Sequence, residues 1–553
     1  MSQPANTAAR RIVDTLVMNG IDRVFCVPGE SYLAVLDALA DVRDRIQVIA
    51  CRHEAGAANM AEAYGKLTGR PGVCMVTRGP GATHASIGVH TAHQDSTPMI
   101  LFVGQIALTD RGRGAFQEVD YREVFGGLAK WATEIESPER TVEVVERAFS
   151  TALQGRMGPV VIALPEDILH ADGGPAPIRP VTPAKAALDP AFVEAVRARL
   201  AEAERPLLVL GGSGWTEDAT AAIGDWAERI GLPVALSFRR KDLISNDRPN
   251  YAGDLGLGPN PKLVQRVRDA DLILTIGARL GENPTLGYTL LTRARTAETL
   301  IHIHPGPEEL GRVWPTLMGA TADNSLAALA LSGTDPGRDW TAEAATAHAD
   351  YQAFIQPVSV TGAVNMSEVI RHLAEALPAD AIITNGAGNF AAWLHRFHRH
   401  RAMHTQLAPT SGAMGYGYPA AVAAKSVHPD RDVICIAGDG DYLMTGQEIA
   451  TAVQYGINVV VVVVDNGTYG TIRMHQEMHY SGPERVMATD LKNPDFVKYA
   501  EAFGAFGIRC ETTADFPAAL QAARTAGRPA LVHLITSAED IAPGRTITGL
   551  RKA

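Results

Sequence analysis

The feature that most constrains the fold is a pattern that recurs three times along the chain. Short apolar runs end in turns of Gly, Pro or Asp and alternate with longer Ala-rich segments of helical periodicity. Such runs are typical of strands buried on both faces, and strands that alternate with helices form parallel sheets. The sequence therefore predicts an α/β fold of three doubly wound parallel-sheet domains. The predicted strands are VFCVPG (24–29), VCMVTRGPG (73–81), MILFVGQ (99–105) and VVIALP (160–165); PLLVLGGSG (206–214), PVALSF (233–238), DLILTIGARLG (271–281) and LIHIHPGP (300–307); and AIITNGAGN (381–389), VICIAGDGD (433–441), VVVVVVDN (459–466) and ALVHLIT (530–536).

Two segments separate the three sets of strands. Residues 171–190 are rich in Pro and Gly, which predicts an extended linker, and residues 332–361 are polar and Ala-rich. We therefore expect domains at 1–170, 190–335 and 361–553. A chain of 553 residues with 46% hydrophobic and 20% charged residues can form three or four sizeable cores, which excludes a disordered or fibrous protein.

Charge and hydropathy exclude two kinds of partner. The net charge is −11 and the basic residues are scattered, so no basic face is offered to nucleic acid or anionic lipid. The longest apolar runs, such as 459–464, are far below the ~20 residues that span a bilayer. The first 20 residues predict an amphipathic helix rather than a secretion signal, and we expect a cytoplasmic protein. The cysteines have no C-x-x-C spacing, which predicts buried free thiols: Cys26, Cys51, Cys74, Cys435 and Cys510.

Two strands of the third set end in residues that can share a divalent cation. The turn Gly438-Asp439-Gly440 closes one apolar run, and Asn466 closes the next, 26 residues after Gly440. Mg²⁺ prefers oxygen ligands, which Asp439, Asn466 and a backbone carbonyl near Thr468 can supply. The glycines let a ligand approach the backbone, and the following segment predicts a helix whose N-terminus faces a diphosphate. Taken alone, a Gly-Asp-Gly turn is also an ordinary strand-to-helix connection.

The segment from Gly438 to Asn466 resembles the thiamine diphosphate signature of the acetohydroxyacid synthase and pyruvate oxidase superfamily. That signature runs from GDG to a pair of asparagines, and here the pair is Asp465-Asn466, so the metal-binding second position matches and the first departs. The resemblance implies that Gly438, Gly440 and Asp441 lie against thiamine diphosphate. It implies Mg²⁺ as the metal.

A second block, residues 51–85, places Glu54 between a predicted strand and a helix of small residues and ahead of a Gly-Pro-Gly turn. The same superfamily has its catalytic glutamate in this RHE context. The resemblance implies that the carboxyl of Glu54 binds N1′ of the aminopyrimidine and favours the imino tautomer, whose N4′ removes the thiazolium C2 proton. The simpler interpretation of Glu54 is a carboxylate that stabilises a helix N-terminus.

A third block, TSGAMGYGYPAA (410–421), resembles the superfamily's pyrimidine-binding turn. The resemblance implies that the carbonyl of Gly412 accepts from N4′ and that Met414 separates the two rings of the cofactor. Met414 is equally well explained as a filler of an irregular core gap. Asn389 lies where relatives contact the diphosphate, although a turn asparagine is the simpler interpretation.

The segment GRGAFQEVDYREVFGGLAKWATEI (112–135) resembles the acetohydroxyacid synthase branch, in which AFQE is followed by a lysine. The resemblance implies that Phe116, Gln117 and Lys130 lie near the substrate. An amide and a cation suit a 2-oxo acid, which brings a carboxylate and a carbonyl into an apolar pocket. The alternative is a surface loop with a capping glutamine and a solvated lysine.

Two features depart from that branch. Glu30, in PGESY, stands where the synthases usually have a glycine, which adds a carboxylate at the entrance turn. His475 lies near the position of a bulky tryptophan in the synthases. His475, Glu477 and His479 are either acid/base groups of a mobile cap or one polar face of a helix.

The resemblance also bears on cofactors and assembly. Relatives bind flavin, an ADP moiety or nothing in the central domain, and Gly-rich strand ends at 211–214 and 276–282 do not decide between them. We expect no FAD. Since Glu54 and Asp439 belong to different domains, the resemblance implies active sites between two subunits of a homodimer or homotetramer.

The predicted function is decarboxylation of a pyruvate-like 2-oxo acid with carboligation to a second carbonyl, as in acetolactate synthases, dependent on thiamine diphosphate and Mg²⁺. The alternative is a lyase, decarboxylase or hydrolase that acts on another 2-oxo or 2-hydroxy substrate with the same cofactor. A catalytically idle cofactor-binding subunit is disfavoured by the presence of Glu54. A nicotinamide dehydrogenase is disfavoured because no G-x-G-x-x-G opens a βαβ unit.

Overall fold

The computed structural model of the protein describes residues 6–480 and 482–552. Its strands form three six-stranded sheets in which every neighbouring pair is parallel. The strands of the first sheet are β1 Arg23–Cys26, β2 Gln47–Ala50, β3 Gly72–Val76, β4 Met99–Gln105, β5 Trp131–Glu134 and β6 Pro159–Pro165; those of the second are β7 Pro206–Leu210, β8 Val234–Ser237, β9 Tyr251–Leu255, β10 Leu272–Ile276, β11 Leu300–His304 and β12 Met318–Thr321; those of the third are β13 Ile382–Asn385, β14 Gln406–Leu407, β15 Val433–Gly438, β16 Val460–Asp465, β17 Phe506–Cys510 and β18 Ala530–Ile535.

Helices connect the strands and cover both faces of each sheet. Their order follows the predicted alternation, which confirms the fold class. The helices are α1 Ala8–Met18, α2 Leu33–Ala40, α3 Glu54–Thr68, α4 Pro80–Asp95, α5 Tyr121–Phe125, α6 Thr141–Leu153, α7 Glu166–His170, α8 Pro190–Glu202, α9 Glu217–Arg229, α10 Pro261–Asp269, α11 Arg293–Thr299, α12 Asn324–Ser332, α13 Thr341–Phe354, α14 Met366–Ala376, α15 Asn389–Phe397, α16 Gly417–Val427, α17 Asp439–Tyr442, α18 Ile449–Tyr455, α19 Gly470–His479, α20 Phe496–Ala502, α21 Phe516–Arg524 and α22 Ile547–Lys552.

Each sheet contains a point at which the strand order reverses. The orders are β2-β1-β3-β4-β6-β5, β12-β11-β10-β7-β8-β9 and β14-β13-β15-β16-β18-β17. The reversals therefore lie between β1 and β3, between β7 and β10, and between β13 and β15. In open α/β sheets a ligand binds at the carboxyl ends of the strands beside such a reversal. The Gly438-Asp439-Gly440 turn follows β15 at the third of these places.

The sheets lie within the three predicted domain segments, although the boundaries themselves stay predictions, and residues 1–5, 481 and 553 lie outside the described residues. All five cysteines are buried free thiols, as expected from their spacing. Within the described part of the chain, no helix combines the length and apolar character needed to cross a membrane.

The first and third domains pack through α3 and α16. Both helices are built from small buried residues, such as Ala57 and Ala58 on α3 and Ala420 and Ala424 on α16, so their backbones lie close together. A single hydrophobic core therefore spans the two domains.

A buried ionic cluster lies at the same contact. Lys66 Nζ donates to Asp95 at 2.5 Å and to the carbonyl of Ala408 at 3.0 Å, and it lies 3.5 Å from Glu62. The hydroxyls of Thr97 and Tyr416 donate to Glu62 at 2.6 and 2.5 Å. Burial raises the pKa of Glu62. The ammonium of Lys66 thus lies between two carboxylates at the contact of the two domains.

We expect Lys66→Met to destabilise the protein by about 3–5 kcal/mol, because it leaves Glu62 and Asp95 buried without their cation. Urea denaturation would measure the change in the free energy of unfolding. Lys498→Met is the control, since that side chain is 82% exposed. An equal effect of the two substitutions would show that the buried cluster contributes no more than a surface pair.

Candidate active site

Two aspartates lie side by side at the carboxyl edge of the third sheet. Asp439 follows β15 and Asp465 ends β16, its neighbour in the sheet. The side-chain amide of Asn493 donates to Asp439 Oδ2 and to Asp465 Oδ1, each at 2.7 Å. The backbone N–H of Gly467 also donates to both carboxylates, at 2.9 and 3.1 Å. The two strand ends are therefore joined by shared neutral donors.

This donor set fits a divalent cation. Burial raises the pKa of Asp439 to about 6, and the neighbouring Asp465 adds to the effect. Among the described residues, neither aspartate forms an ion pair with a lysine or arginine, and Asp465 pairs only with His533, at 2.8 Å. Two adjacent carboxylates with few compensating charges are a favourable environment for Mg²⁺. Asn466 lies in the same turn, where its Oδ1 accepts from the N–H of the buried Thr468 at 3.1 Å.

The glycines of this turn are sterically required. A β-carbon on Gly438 would lie 2.8 Å from the ring of Phe390, and one on Gly440 would lie 2.4 Å from the ring of Tyr469. The helix expected after the turn is interrupted, since α17 is a single turn and α18 begins only at Ile449. Between them, Glu448 points towards α3, where it accepts from the backbone N–H groups of Arg52 and His53.

The side chain of Asp441 forms hydrogen bonds with two backbone segments. Its buried Oδ1 accepts from the N–H of Gly415 at 2.9 Å and from the N–H of Ala387 at 3.2 Å. Burial raises its pKa to about 7. Asn389 begins α15 nearby, and its side chain contacts the hydroxyl of Thr471 and the carbonyl of Ile541. Both residues lie at the predicted edge, where Oδ1 of Asp441 and the side-chain amide of Asn389 are bonded to protein groups.

The turn that contains Gly412 and Met414 is held by all three domains. Asp95 of the first domain accepts from the N–H of Thr410 at 2.8 Å, and the buried Arg239 of the central domain donates to the carbonyl of Pro409. Asp441 holds its far end in the third domain. Between these anchors, Gly412 is exposed with φ of 71°, and Met414 is half-buried.

Glu54 begins α3 at the carboxyl edge of the first sheet. Its side chain is 13% exposed, and its Oε2 lies 3.0 Å from Nδ1 of His84. A β-carbon on Gly81 would lie 3.5 Å from its Oε1, so the Gly-Pro-Gly turn packs directly against the carboxyl group. The ligating atoms of His53, Glu54 and His84 lie within 4.8 Å of one another.

Phe116 and Gln117 lie at the same edge as Glu54. Phe116 is 77% exposed, and Gln117 adopts φ of 63°. A β-carbon on Gly79 would lie 2.9 Å from Cβ of Gln117, so the loop rests on the Gly-Pro-Gly turn. Arg78 ties the loop down: its Nε donates to the carbonyl of Phe116 at 3.3 Å, and its Nη1 donates to Glu166 at 3.1 Å.

Lys130 lies at the opposite edge, which corrects the expectation that it shares a pocket with Gln117. Lys130 directly precedes β5, its N–H donates to the carbonyl of Pro159 at the start of β6, and its Nζ donates to the carbonyl of Gln154. Burial lowers its pKa to about 8. Since β6 has seven residues, the two edges are about 20 Å apart. The spacing of residues along the sequence does not show at which end of a strand a residue lies.

The remaining candidates differ in how firmly they are held. Glu30 is exposed in a short 3₁₀ turn after β1. Glu477 is buried and forms ion pairs with Arg473 and with Arg551 of α22, so it fastens the C-terminal helix. His475 and His479 stack on α19, with ring centroids 6.0 Å apart.

The central domain has two clefts at the carboxyl edge of its sheet, each of about 380 Å³. Gly212 lines both clefts, and Gly277 lines one of them. The second cleft also reaches Thr410 and Ser411. The expected absence of FAD stays a prediction.

Sequence reasoning missed three residues of this region: Arg78, His84 and Asn493. The signal for the first two was present, because both belong to the segment around the Gly-Pro-Gly turn. Asn493 had no signal, since it lies in a loop 28 residues after Asp465 and reaches the site only through the fold.

Comparisons with known proteins cover nearly the whole chain. Residues 6–124, 193–331 and 386–534 match the N-terminal TPP binding domain, the central domain and the C-terminal TPP binding domain of thiamine pyrophosphate enzymes. Acetolactate synthase isozyme 2 large subunit of Escherichia coli (strain K12) is 30% identical over 97% of this chain and 96% of its own length. An acetolactate synthase large subunit of Parasynechococcus marenigrum (strain WH8102) is 32% identical over 91% and 83%. A probable acetolactate synthase large subunit of Methanocaldococcus jannaschii is 29% identical over 98% and 94%.

The position of Asp441 generates a prediction about cofactor binding. With a pKa of about 7 it is partly protonated at neutral pH, so Asp441→Asn keeps an acceptor and should change affinity for thiamine diphosphate by less than about threefold. Asp441→Leu frees the N–H groups of Gly415 and Ala387 and should weaken binding at least ~10-fold. Titration calorimetry measures both. Equal affinities of the Leu variant and the parent would show that the turn needs no anchor from Asp441.

Proposed function

We propose, from the premise that this chain belongs to the thiamine pyrophosphate enzyme family, that it decarboxylates a pyruvate-like 2-oxo acid and joins the remaining acyl carbon to a second carbonyl compound. The observation that carries the proposal is the similarity to acetolactate synthase large subunits over 97% of the chain. Thiamine diphosphate, when bound, supplies a thiazolium carbon that attacks the 2-oxo carbon and accepts the electrons released with carbon dioxide.

The third domain is proposed to hold the diphosphate through Mg²⁺. Asp439 and Asn466 would supply side-chain oxygens as ligands, and Thr468 would supply its backbone carbonyl oxygen. The pair of adjacent carboxylates supports this assignment, since burial of Asp439 favours a nearby cation. Gly438 and Gly440 keep this turn free of side chains, because a β-carbon at either position would collide with Phe390 or Tyr469.

Glu54 is proposed as the catalytic acid/base group. Its carboxyl group is nearly buried, packs against Gly81 and begins a helix, so it is held in one place at the edge of the first sheet. It would share a proton with N1′ of the pyrimidine and so select the reactive tautomer. Gly412 and Met414 would hold the pyrimidine from the other side, on a turn fixed by three domains.

Arg78 is proposed to bind the substrate carboxylate in place of Lys130. Its guanidinium lies at the edge that carries Glu54 and Gln117, and two of its N–H groups are fixed by Phe116 and Glu166. A guanidinium held in this way recognises a carboxylate with its remaining donors. Phe116 and Gln117 would line the same entrance, together with the exposed Glu30.

The proposed assembly is a homodimer or a homotetramer with active sites between subunits. Glu54 precedes Lys66 by twelve residues on α3, a rise of about 18 Å, and Lys66 is the residue that contacts the segment before the Gly412 turn. This separation within one chain supports a site completed by a second copy. Exposed apolar side chains at the carboxyl edges of the first and third sheets also support it: Leu33, Phe116, Leu443, Met444 and Ile472. A cytoplasmic location rests on the sequence alone.

Product analysis tests the proposed function. The purified protein is supplied with thiamine diphosphate and Mg²⁺, and with pyruvate alone, pyruvate plus 2-oxobutyrate, or pyruvate plus an aldehyde. A carboligation product is expected, with Glu54→Gln at least ~10²-fold slower at full cofactor occupancy. Turnover to a free aldehyde or acid would favour the lyase, decarboxylase or hydrolase alternative. Turnover of no 2-oxo acid would contradict the proposal.

The metal assignment predicts the effect of removing a ligand. Asp439→Ala and Asn466→Ala should each weaken binding of thiamine diphosphate in the presence of Mg²⁺ at least ~10-fold, because Mg²⁺ has few protein ligands to lose. Asp490→Ala is the control, since Asp490 lies in the neighbouring loop and is exposed. Unchanged calorimetric affinity of both ligand variants would place the metal elsewhere.

The two candidate cations for the substrate give opposite predictions. Arg78→Met should raise KM for the 2-oxo acid ~10–100-fold, which corresponds to the loss of a charge-assisted hydrogen bond, without a change in cofactor affinity. Lys130→Met should leave KM unchanged, because Lys130 lies at the other edge of the sheet. Steady-state kinetics on both variants decide. A raised KM only for Lys130→Met would restore the sequence-based hypothesis.

A further inference from the structure

His84 contacts the carboxyl group on which the proposed chemistry depends. It lies on the first turns of α4, and its Nδ1 is 3.0 Å from Glu54 Oε2. The ring of His84 is 51% exposed, whereas the side chain of Glu54 is 13% exposed. His84 therefore connects a nearly buried carboxyl group with a more open part of the site.

The orientation of the His84 ring is fixed by a second histidine. His53 stacks on it with ring centroids 4.6 Å apart and an angle of 30° between the planes. His53 is itself held as the cap of α3, because its Nδ1 accepts from the N–H of Ala55 at 3.0 Å. Burial and then the proximity of His84 lower the pKa of His53, which keeps it neutral and able to accept.

The two oxygens of Glu54 thus have different surroundings. Oε2 is taken by His84, while Oε1 faces Gly81 and the Gly-Pro-Gly turn. We propose that His84 is a positioning residue that donates its Nδ1–H to Oε2 of Glu54 and so presents Oε1 as the oxygen that exchanges a proton with the pyrimidine. This inference rests on the proposed function and names a residue for it that the comparisons do not assign.

Among the described residues, His84 is the one side chain that forms a hydrogen bond with the carboxyl group of Glu54. Tyr32 and Cys74 lie near Glu54, and burial raises the pKa of both above the neutral range, so they stay uncharged. Glu448 from the third domain is occupied by the N–H groups of Arg52 and His53. The position of Oε2 of Glu54 therefore depends on its hydrogen bond with His84.

Two substitutions test the hydrogen bond between His84 and Glu54. His84→Asn keeps an N–H donor close to the position of Nδ1. His84→Leu removes the donor. The rate of hydrogen–deuterium exchange at C2 of bound thiamine diphosphate is measured at neutral pH and full cofactor occupancy. We expect His84→Leu to exchange about tenfold or more slowly, and His84→Asn to stay within about threefold of the parent.

A second measurement uses the protein without cofactor. In protein labelled with ¹⁵N-histidine, the ring shifts of His84 report which nitrogen carries the proton, and the His84→Asn spectrum assigns them. The proposal expects a protonated, hydrogen-bonded Nδ1 that changes in Glu54→Ala. His90→Asn, on the same helix, is the control and should alter neither the His84 ring shifts nor the exchange rate.

Equal exchange rates for the parent, His84→Asn and His84→Leu would overturn the inference, as would ring shifts of His84 that do not change in Glu54→Ala. These results leave the proposed function standing as long as the parent exchanges C2 faster than Glu54→Gln. If the parent binds no thiamine diphosphate, or if Glu54→Gln exchanges equally fast, the proposed function fails first.

Discussion

The ammonium group of Lys66, buried between two carboxylates, is the interaction on which the geometry of the site depends. It lies beside both Asp95 and Glu62 and also donates to the carbonyl of Ala408, so it joins the first domain to the strand end before the Gly412 turn. Asp95 in turn accepts from the N–H of Thr410. Because a buried charge without its partner costs several kcal/mol, the cluster favours one arrangement of the two domains. The position of the turn proposed to hold the pyrimidine therefore depends on that arrangement of the two domains.

The parallel topology of the sheets explains why the candidate functional residues lie together at one edge. In each sheet every strand ends at the same edge, so residues distant in sequence meet there if they directly follow a strand. Asp439 and Asp465 follow neighbouring strands and share the amide of Asn493. Arg78 and Glu166 follow β3 and β6 in the first sheet and form an ion pair. Side chains that precede a strand, such as Lys130, are excluded from both groups.

The sequence predicted the inner four strands of every sheet and the strand before Glu54, which is β2, and the five strands that it missed are all edge strands: β5, β9, β12, β14 and β17. Inner strands are covered on both faces and are continuously apolar, whereas β5 and β12 are partly exposed and carry a weaker pattern. Sequence motifs identified Glu54, Asp439 and Asn466 because each belongs to a short segment that is characteristic on its own. The contacts of His84 with Glu54 and of Asn493 with two aspartates depend on tertiary packing, which spacing along the chain does not encode. Asp465 is an example of both cases. The sequence showed that it replaces the first asparagine of the pair, but it did not show that Asp465 pairs with His533.

Helix α3 connects these observations physically. Its first residue is Glu54, its N-terminal backbone is bound by Glu448, and its last turns carry Lys66, which binds the segment before the Gly412 turn. The two functional ends are about 18 Å apart and rigidly joined, since the helix is buried against α16 along its length. If the site is completed by a second copy, each α3 supplies Glu54 to one site and fixes the pyrimidine turn of the other. The packing that stabilises the monomer then also sets the spacing between the two active sites of a dimer.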